Sequence, residues 1–226
     1  RAPSMVADAE GAALDARAAL ALMVAAIREL FEEAGVLLAT RAGEALDAAM
    51  LETWRRRLAS GEGTLLDLLE SEALTLDVDG LVYWSHWLTP SAERRRFDTR
   101  FFLAQVPLGQ VPAADLSETT RDAWLTPEEA LVAHLEGRLY LPPPTQRTLE
   151  ELAGAESFEA LRAAALADRP ALILPKLVVL EDEPTIVLPW DASYAGLEGE
   201  GTHAHAPARS RAFSARIPLR PRGRAG

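Results

Sequence analysis

Glu29, Glu32 and Glu33 lie at spacing i, i+3 and i+4 within the run Arg28-Glu29-Leu30-Phe31-Glu32-Glu33-Ala34-Gly35-Val36. On a helix, at 100° per residue, the three carboxylates share one face. Ile27, Leu30, Phe31 and Ala34 share the opposite face and read as core. Like charges one turn apart repel, so such a cluster is most easily tolerated beside a cation. Hard oxygen donors select a hard divalent ion, Mg²⁺ or Mn²⁺, and the usual partner of such an ion is a phosphate or diphosphate oxygen. Arg28 stands i to i+4 from Glu32, close enough to orient its carboxylate. The alternative reading is an amphipathic helix with a solvated acidic face, ended by a Gly C-cap at Gly35.

The pattern around this run is helical from Leu14 to Leu38. A second helix is expected over 45–58, where Leu46, Met50, Trp54 and Leu58 recur for one buried face, and a third over 64–72. Two β-like runs follow, Gly80–Trp87 and Phe97–Val106, separated by the charged turn Ser91-Ala92-Glu93-Arg94-Arg95-Arg96. Thr126, Pro127 and Glu129 form a capping box that opens a helix ending near Gly137. Pro142-Pro143-Pro144 reads as a stiff linker. One or two helices over 145–167, broken near Gly154, precede two short strands around an acidic turn. The tail from Gly199, rich in Gly, Ala, Arg and His, reads as flexible until Ile217.

With 226 residues, of which 49% are hydrophobic, the chain can bury the core of one domain carrying helical additions. Its net charge of −11 argues against a nucleic-acid surface. There is no Cys, which excludes disulfides and thiol catalysis. No apolar run is long enough to span a membrane. With 22 Arg to one Lys and abundant Ala, the composition suits a bacterial cytoplasmic protein from a GC-rich genome.

The nine-residue run matches every specified position in the second half of the Nudix signature, R-E-U-x-E-E-x-G-U with U apolar, and the chain resembles the Nudix hydrolases. The first half departs: Leu20 stands where that signature has Glu, and Leu14 where it has Gly. Downstream, Tyr83–Pro90, Arg95–Ala104, Glu118–Leu131, Ile173–Lys176 and Val187–Asp191 resemble one branch in particular, the acyl-coenzyme-A diphosphatases (nucleoside diphosphate-linked moiety X motif 19) and their bacterial relatives. In that branch an insertion separates the Gly-rich part of the signature from the Glu helix. The resemblance covers most of residues 22–194. It implies strands and a Gly-rich loop ahead of the helix, yet only 27 residues precede Arg28. Either those strands lie before residue 1 or the chain has lost them.

The resemblance implies one Nudix domain over residues 1–226, an α/β/α sandwich with a mixed sheet. Extra helices near 45–72 and 145–167 would form an added layer or a homodimer contact. The implied activity is hydrolysis of the diphosphate of coenzyme A or an acyl-CoA, giving phosphopantetheine and adenosine 3′,5′-bisphosphate. Glu29, Glu32 and Glu33 are the metal ligands implied for Mg²⁺ or Mn²⁺. One of them, or Glu118, would act as general base, and Arg28 would orient Glu32. Arg95, Arg96 and Arg100 are candidates for the 3′-phosphate, against a plain solvated turn. Trp84, Trp87 and Phe101 could stack on adenine or sit in the core. Two other readings stay open: a Nudix hydrolase of a nucleotide sugar or dinucleotide, and a degenerate Nudix binding module without catalysis.

Overall fold

The computed structural model describes residues 14–41, 45–113, 123–202 and 204–219. The chain divides into two compact units. One takes its described residues from 14–82 and 102–123, the other from 83–101 and 124–219.

The first unit is built on α1 (Ala16–Ala34), whose N-terminus is capped by Asp15 accepting from the Ala18 N–H at 2.8 Å. Ala19, Met23, Ile27 and Phe31 recur every fourth residue and are all buried, as the 3.6-residue period requires of a helix with one apolar stripe. Leu30 is half-buried and packs on the same core. Against this stripe lie α2 (Ala48–Ala59) and α3 (Leu65–Ser71), which contribute Leu51, Trp54, Leu65 and Leu68. Asp47 caps α2, and a reciprocal Thr64–Asp67 capping box starts α3. The buried Trp54 ring donates from Nε1 to Glu72 at 3.0 Å, so its polar atom keeps a partner inside the core. Two-residue strands β1 (Ala39–Thr40) and β2 (Thr75–Leu76) pair antiparallel.

Among the described residues, the second unit holds two three-stranded sheets. β3 (Val82–Leu88) lies between β4 (Asp98–Leu103) and β5 (Leu172–Ile173), with β3 and β5 parallel through His86–Leu172 and Trp87–Ile173. β3 is buried along nearly its whole length, the polar Ser85 and His86 included, as a strand covered on both faces shows no apolar–polar alternation. Trp84 and Trp87 are both core residues. β6 (Lys176–Leu180) and β7 (Glu183–Val187) form a hairpin closed by Glu181 and Asp182, both with positive φ, the backbone that a two-residue hairpin turn demands. Three helices complete the unit: α4 (Pro127–Leu135), α5 (Pro143–Leu152) and α6 (Phe158–Ala167). Thr126 and Glu129 form the expected capping box. Pro143 and Pro144 differ from the linker expected of them: they form the first turn of α5, where a missing N–H costs nothing.

The tail is ordered at Ile217, where its looseness was expected to end, and is also anchored ahead of it, which was not expected. β8 (Arg216–Pro218) pairs with β7, setting Ile217 opposite Ile186 in the core. Arg209 is held by Glu151 at 3.2 Å and lies over the Trp84 ring at 4.5 Å. Composition suggested looseness because Gly and Ala carry little apolar area, but a few large side chains anchor the segment.

Asp191 accepts from Arg216 Nε at 2.8 Å and from the Ser193 N–H at 2.8 Å. The Arg216 hydrogen bond is the main reason its carboxyl is lowered to about 2. A carboxylate whose folded pKa lies below its unfolded value stabilises the fold above the unfolded pKa, near 4, and loses that contribution as pH falls toward 2. Asp191→Asn should therefore lower the melting temperature at pH 6 and make little difference at pH 2. Equal losses at both pH values would count against this pair.

Candidate metal and substrate site

The end of α1 is fixed by three separate devices. Gly35 takes φ +69° and its N–H bonds to the Phe31 carbonyl, the left-handed cap that glycine adopts without strain. Arg55 reaches across from α2, donating from Nε to the Glu32 carbonyl at 2.9 Å and from Nη2 to the Glu33 carbonyl at 2.6 Å. It thereby satisfies two of the carbonyls a helix end leaves without partners and sets a positive charge against the negative end of the helix dipole. Gln110 pairs with both backbone groups of Leu37, at 2.8 and 2.9 Å, and the Ala113 N–H bonds to the Ala34 carbonyl at 2.9 Å. The loop after β4 is thus tied to the turn that follows the helix. Gly35→Ala should cost about 1–2 kcal/mol, because a Cβ there meets left-handed backbone and stands 3.2 Å from Arg55 Nη1. Gly35→Asn should cost less; urea unfolding of the two variants tests the order.

The three glutamates occupy the last two turns of this pinned helix. Arg28 donates to both carboxylate oxygens of Glu32 at 3.0 Å and lies 3.7 Å from Glu29, so the ion pair that its spacing predicts is present. Glu29 and Glu33 are exposed. The last turn holds no basic residue of its own, which leaves negative side chains at the negative end of the dipole, an arrangement that costs stability. Among the described residues no three carboxylates or imidazoles converge within reach of one ion. By donor type the cluster fits a hard divalent cation: hard oxygens, on one helix face, open to solvent. Glu32 would have to share its oxygens between that cation and Arg28.

The remaining candidates are less gathered. Glu118 lies outside the described residues. Arg100 is nearly buried and paired with Asp98 at 3.2 Å, and Asp98 also meets the fully buried His86 ring. Arg96 pairs with Glu200 at 2.9 Å and donates to the Thr89 carbonyl at 3.0 Å. Arg95 sits over the Phe97 ring at 4.9 Å. The three arginines therefore have three different engagements. Arg55 and Gln110 escaped sequence reading because they act from 22 and 73 positions away, beyond any local pattern.

Comparisons place the chain. The family model for the NUDT19 Nudix domain matches residues 1–152. The human acyl-coenzyme A diphosphatase NUDT19 is 33% identical over 191 residues, 77% of this chain and 51% of that protein. Putative nudix hydrolase 7 of Caenorhabditis elegans is 30% identical, over 80% of this chain and 60% of that protein. The chain thus spans about half the length of the curated relatives it matches. Among solved structures, a NUDIX hydrolase from Alicyclobacillus acidocaldarius aligns with TM-score 0.50 and 27% identity over 63% of this chain and 65% of that one, sharing the α/β fold expected from the sequence. No described helix is long and apolar enough to cross a membrane. The helix with its three glutamates, its orienting arginine and its left-handed glycine cap is the signature helix of a family to which the matches assign the whole: this chain belongs to the Nudix family, in the NUDT19 branch.

Proposed function

We propose that this chain hydrolyses the diphosphate of coenzyme A or an acyl-CoA, with Mg²⁺ or Mn²⁺, to (acyl-)phosphopantetheine and adenosine 3′,5′-bisphosphate. The observation that carries the reading is the signature helix, complete from Arg28 to Val36 and pinned at its end by Gly35 and Arg55. The relatives named acyl-coenzyme A diphosphatase support the choice of substrate.

A bound cation would neutralise diphosphate charge and make a water molecule more acidic. Glu29, Glu32 and Glu33 would hold it, which requires their side chains to turn toward a common point from the positions they have here. One of these carboxylates, or Glu118, takes a proton as water adds to phosphorus and the bridging P–O bond breaks. Arg28 keeps Glu32 in place while this happens. Arg55 contributes by rigidity: it prevents fraying of the turn that carries Glu32 and Glu33, and a site held loosely loses rate steeply.

The test is incubation with CoA and with acyl-CoA plus Mg²⁺ or Mn²⁺, with mass spectrometry for the two products. A melt run in parallel separates binding from turnover. At ten times its Kd a cation adds about 1.4 kcal/mol, a rise of roughly 3–5 °C for a chain of this size. If neither metal shifts the melt nor products form, the non-catalytic module becomes the better reading. Products from a nucleotide sugar or dinucleotide but not from CoA would keep the chemistry and replace the substrate.

A further inference from the structure

The second unit contains a cleft of about 450 Å³ that the proposed chemistry does not use. We infer that it binds an aliphatic chain carrying an anionic group, with Arg95 as the partner of the anion. The size lies within the ~300–1,000 Å³ typical of small-molecule sites. Trp87, Phe101, Leu177, Ile186 and Leu219 line it, an apolar surface suited to a flexible hydrocarbon chain, with Thr89, Thr99 and Tyr140 as the uncharged polar residues of the wall. Pro142, Pro143 and Pro144 make up part of the wall, and their locked φ angles keep it from collapsing inward. Phe97, also in the lining, is 52% exposed, so its ring is open to a ligand.

Charge selects the other end of the ligand. Arg95 and Glu93 are the charged residues of the lining. Arg95 stacks over Phe97 and, among the described residues, makes no ion pair, whereas neighbouring Arg96 is neutralised by Glu200 and Arg100 by Asp98. A guanidinium beside an apolar cleft, stacked on an aromatic face and without a carboxylate partner, is suited to a carboxylate or phosphate. Glu93 opposes the anion, so its charge limits affinity.

Two sources offer such a chain: a free fatty acid, whose carboxylate adjoins it, and an acyl-CoA, whose thioester is neutral and whose anions are the phosphates of its CoA part. The cleft itself rests on the second unit alone; only the acyl-CoA source rests on the proposed function. Calorimetric titration in EDTA, where no hydrolysis occurs, tests binding separately from catalysis. Carboxylates of six to twelve carbons, kept below their micelle concentrations, are compared with the matching alcohols, with acyl-CoAs of the same lengths and with CoA alone.

Affinity should rise about fourfold per added methylene until the cleft is full. Arg95→Gln should weaken the acids roughly fivefold or more and leave the alcohols unchanged, and Glu93→Gln should tighten the acids. Thr99→Trp, at an exposed strand position of the lining, should abolish the chain-length dependence by filling the space. Should that variant not fold, Phe97→Ser should flatten the same slope. Affinity independent of chain length, or binding unaltered by both lining variants, overturns the inference. If acyl-CoAs follow the slope and outbind CoA alone, the acyl group is the source; if only free acids follow it, the source is a fatty acid. Either result is independent of whether the diphosphate is ever cleaved.

Discussion

Glu33→Gln should cut acyl-CoA hydrolysis by at least ~100-fold, the order expected when a charged metal ligand becomes neutral, while stability holds or rises. The two effects have opposite signs for one reason. Glu33 is exposed at the C-terminal end of α1, and a negative charge there opposes the helix dipole by about 0.3–1 kcal/mol. Glu70→Gln supplies the control: Glu70 is also an exposed glutamate near a helix end, on α3. It should give a similar small gain and leave turnover unchanged. The measurement is steady-state rate against metal concentration, with urea unfolding of the same preparations. A Glu33→Gln enzyme that keeps more than about a tenth of wild-type turnover at saturating metal would remove Glu33 from the ligand set.

Arg209→Ala should be strongly destabilising, costing about 3–5 kcal/mol. Arg209 and Glu151 are both nearly buried and 3.2 Å apart, and Arg209 also donates to the carbonyls of Trp84 and Asp168. Ser210 donates to the other oxygen of Glu151. Removing the guanidinium strands a carboxylate in the interior, which costs more than the pair itself contributes. Replacing both partners, Arg209→Met with Glu151→Leu, should recover most of the loss, because two apolar side chains of similar size need no solvation. Arg211→Ala, two positions on and exposed, should stay within about 0.5 kcal/mol. Chemical unfolding of the four proteins decides the matter. If Arg209→Ala costs under 1 kcal/mol, the buried pair does not form in solution and the tail is as loose as its composition suggests.

The tail shows why composition was a poor guide there. A 3-residue strand such as β8, or the 2-residue β1, β2 and β5, is too short to display a period. Its pairing is settled by partners far along the chain: Ile217 opposite Ile186, Leu172 opposite His86. The helices behaved otherwise. The apolar stripe of α1, the Gly35 cap and the Thr126–Glu129 box involve residues three or four apart, so local order alone displays them. Pro143 and Pro144 were misjudged because a proline run is compatible with both a linker and a helix start, and only the residues after it decide between them.

Much of the candidate site was local in the same sense. Residue type and spacing put three hard-oxygen donors on one helix face and an arginine one turn from Glu32, and the proposed chemistry rests on that local pattern together with family membership. What the amino-acid order could not display is how firmly the face is held: Arg55 bonds to the last carbonyls from another helix, and Gln110 binds the next turn from a distant loop. Nor could it show that Arg100 is consumed by Asp98 while Arg95 is left beside a cleft. Short-range periodicity is written in neighbouring residues and survives in any fold that contains the helix. The partner of a charge is chosen only when distant segments meet, because in the unfolded chain every one of these arginines is solvated alike.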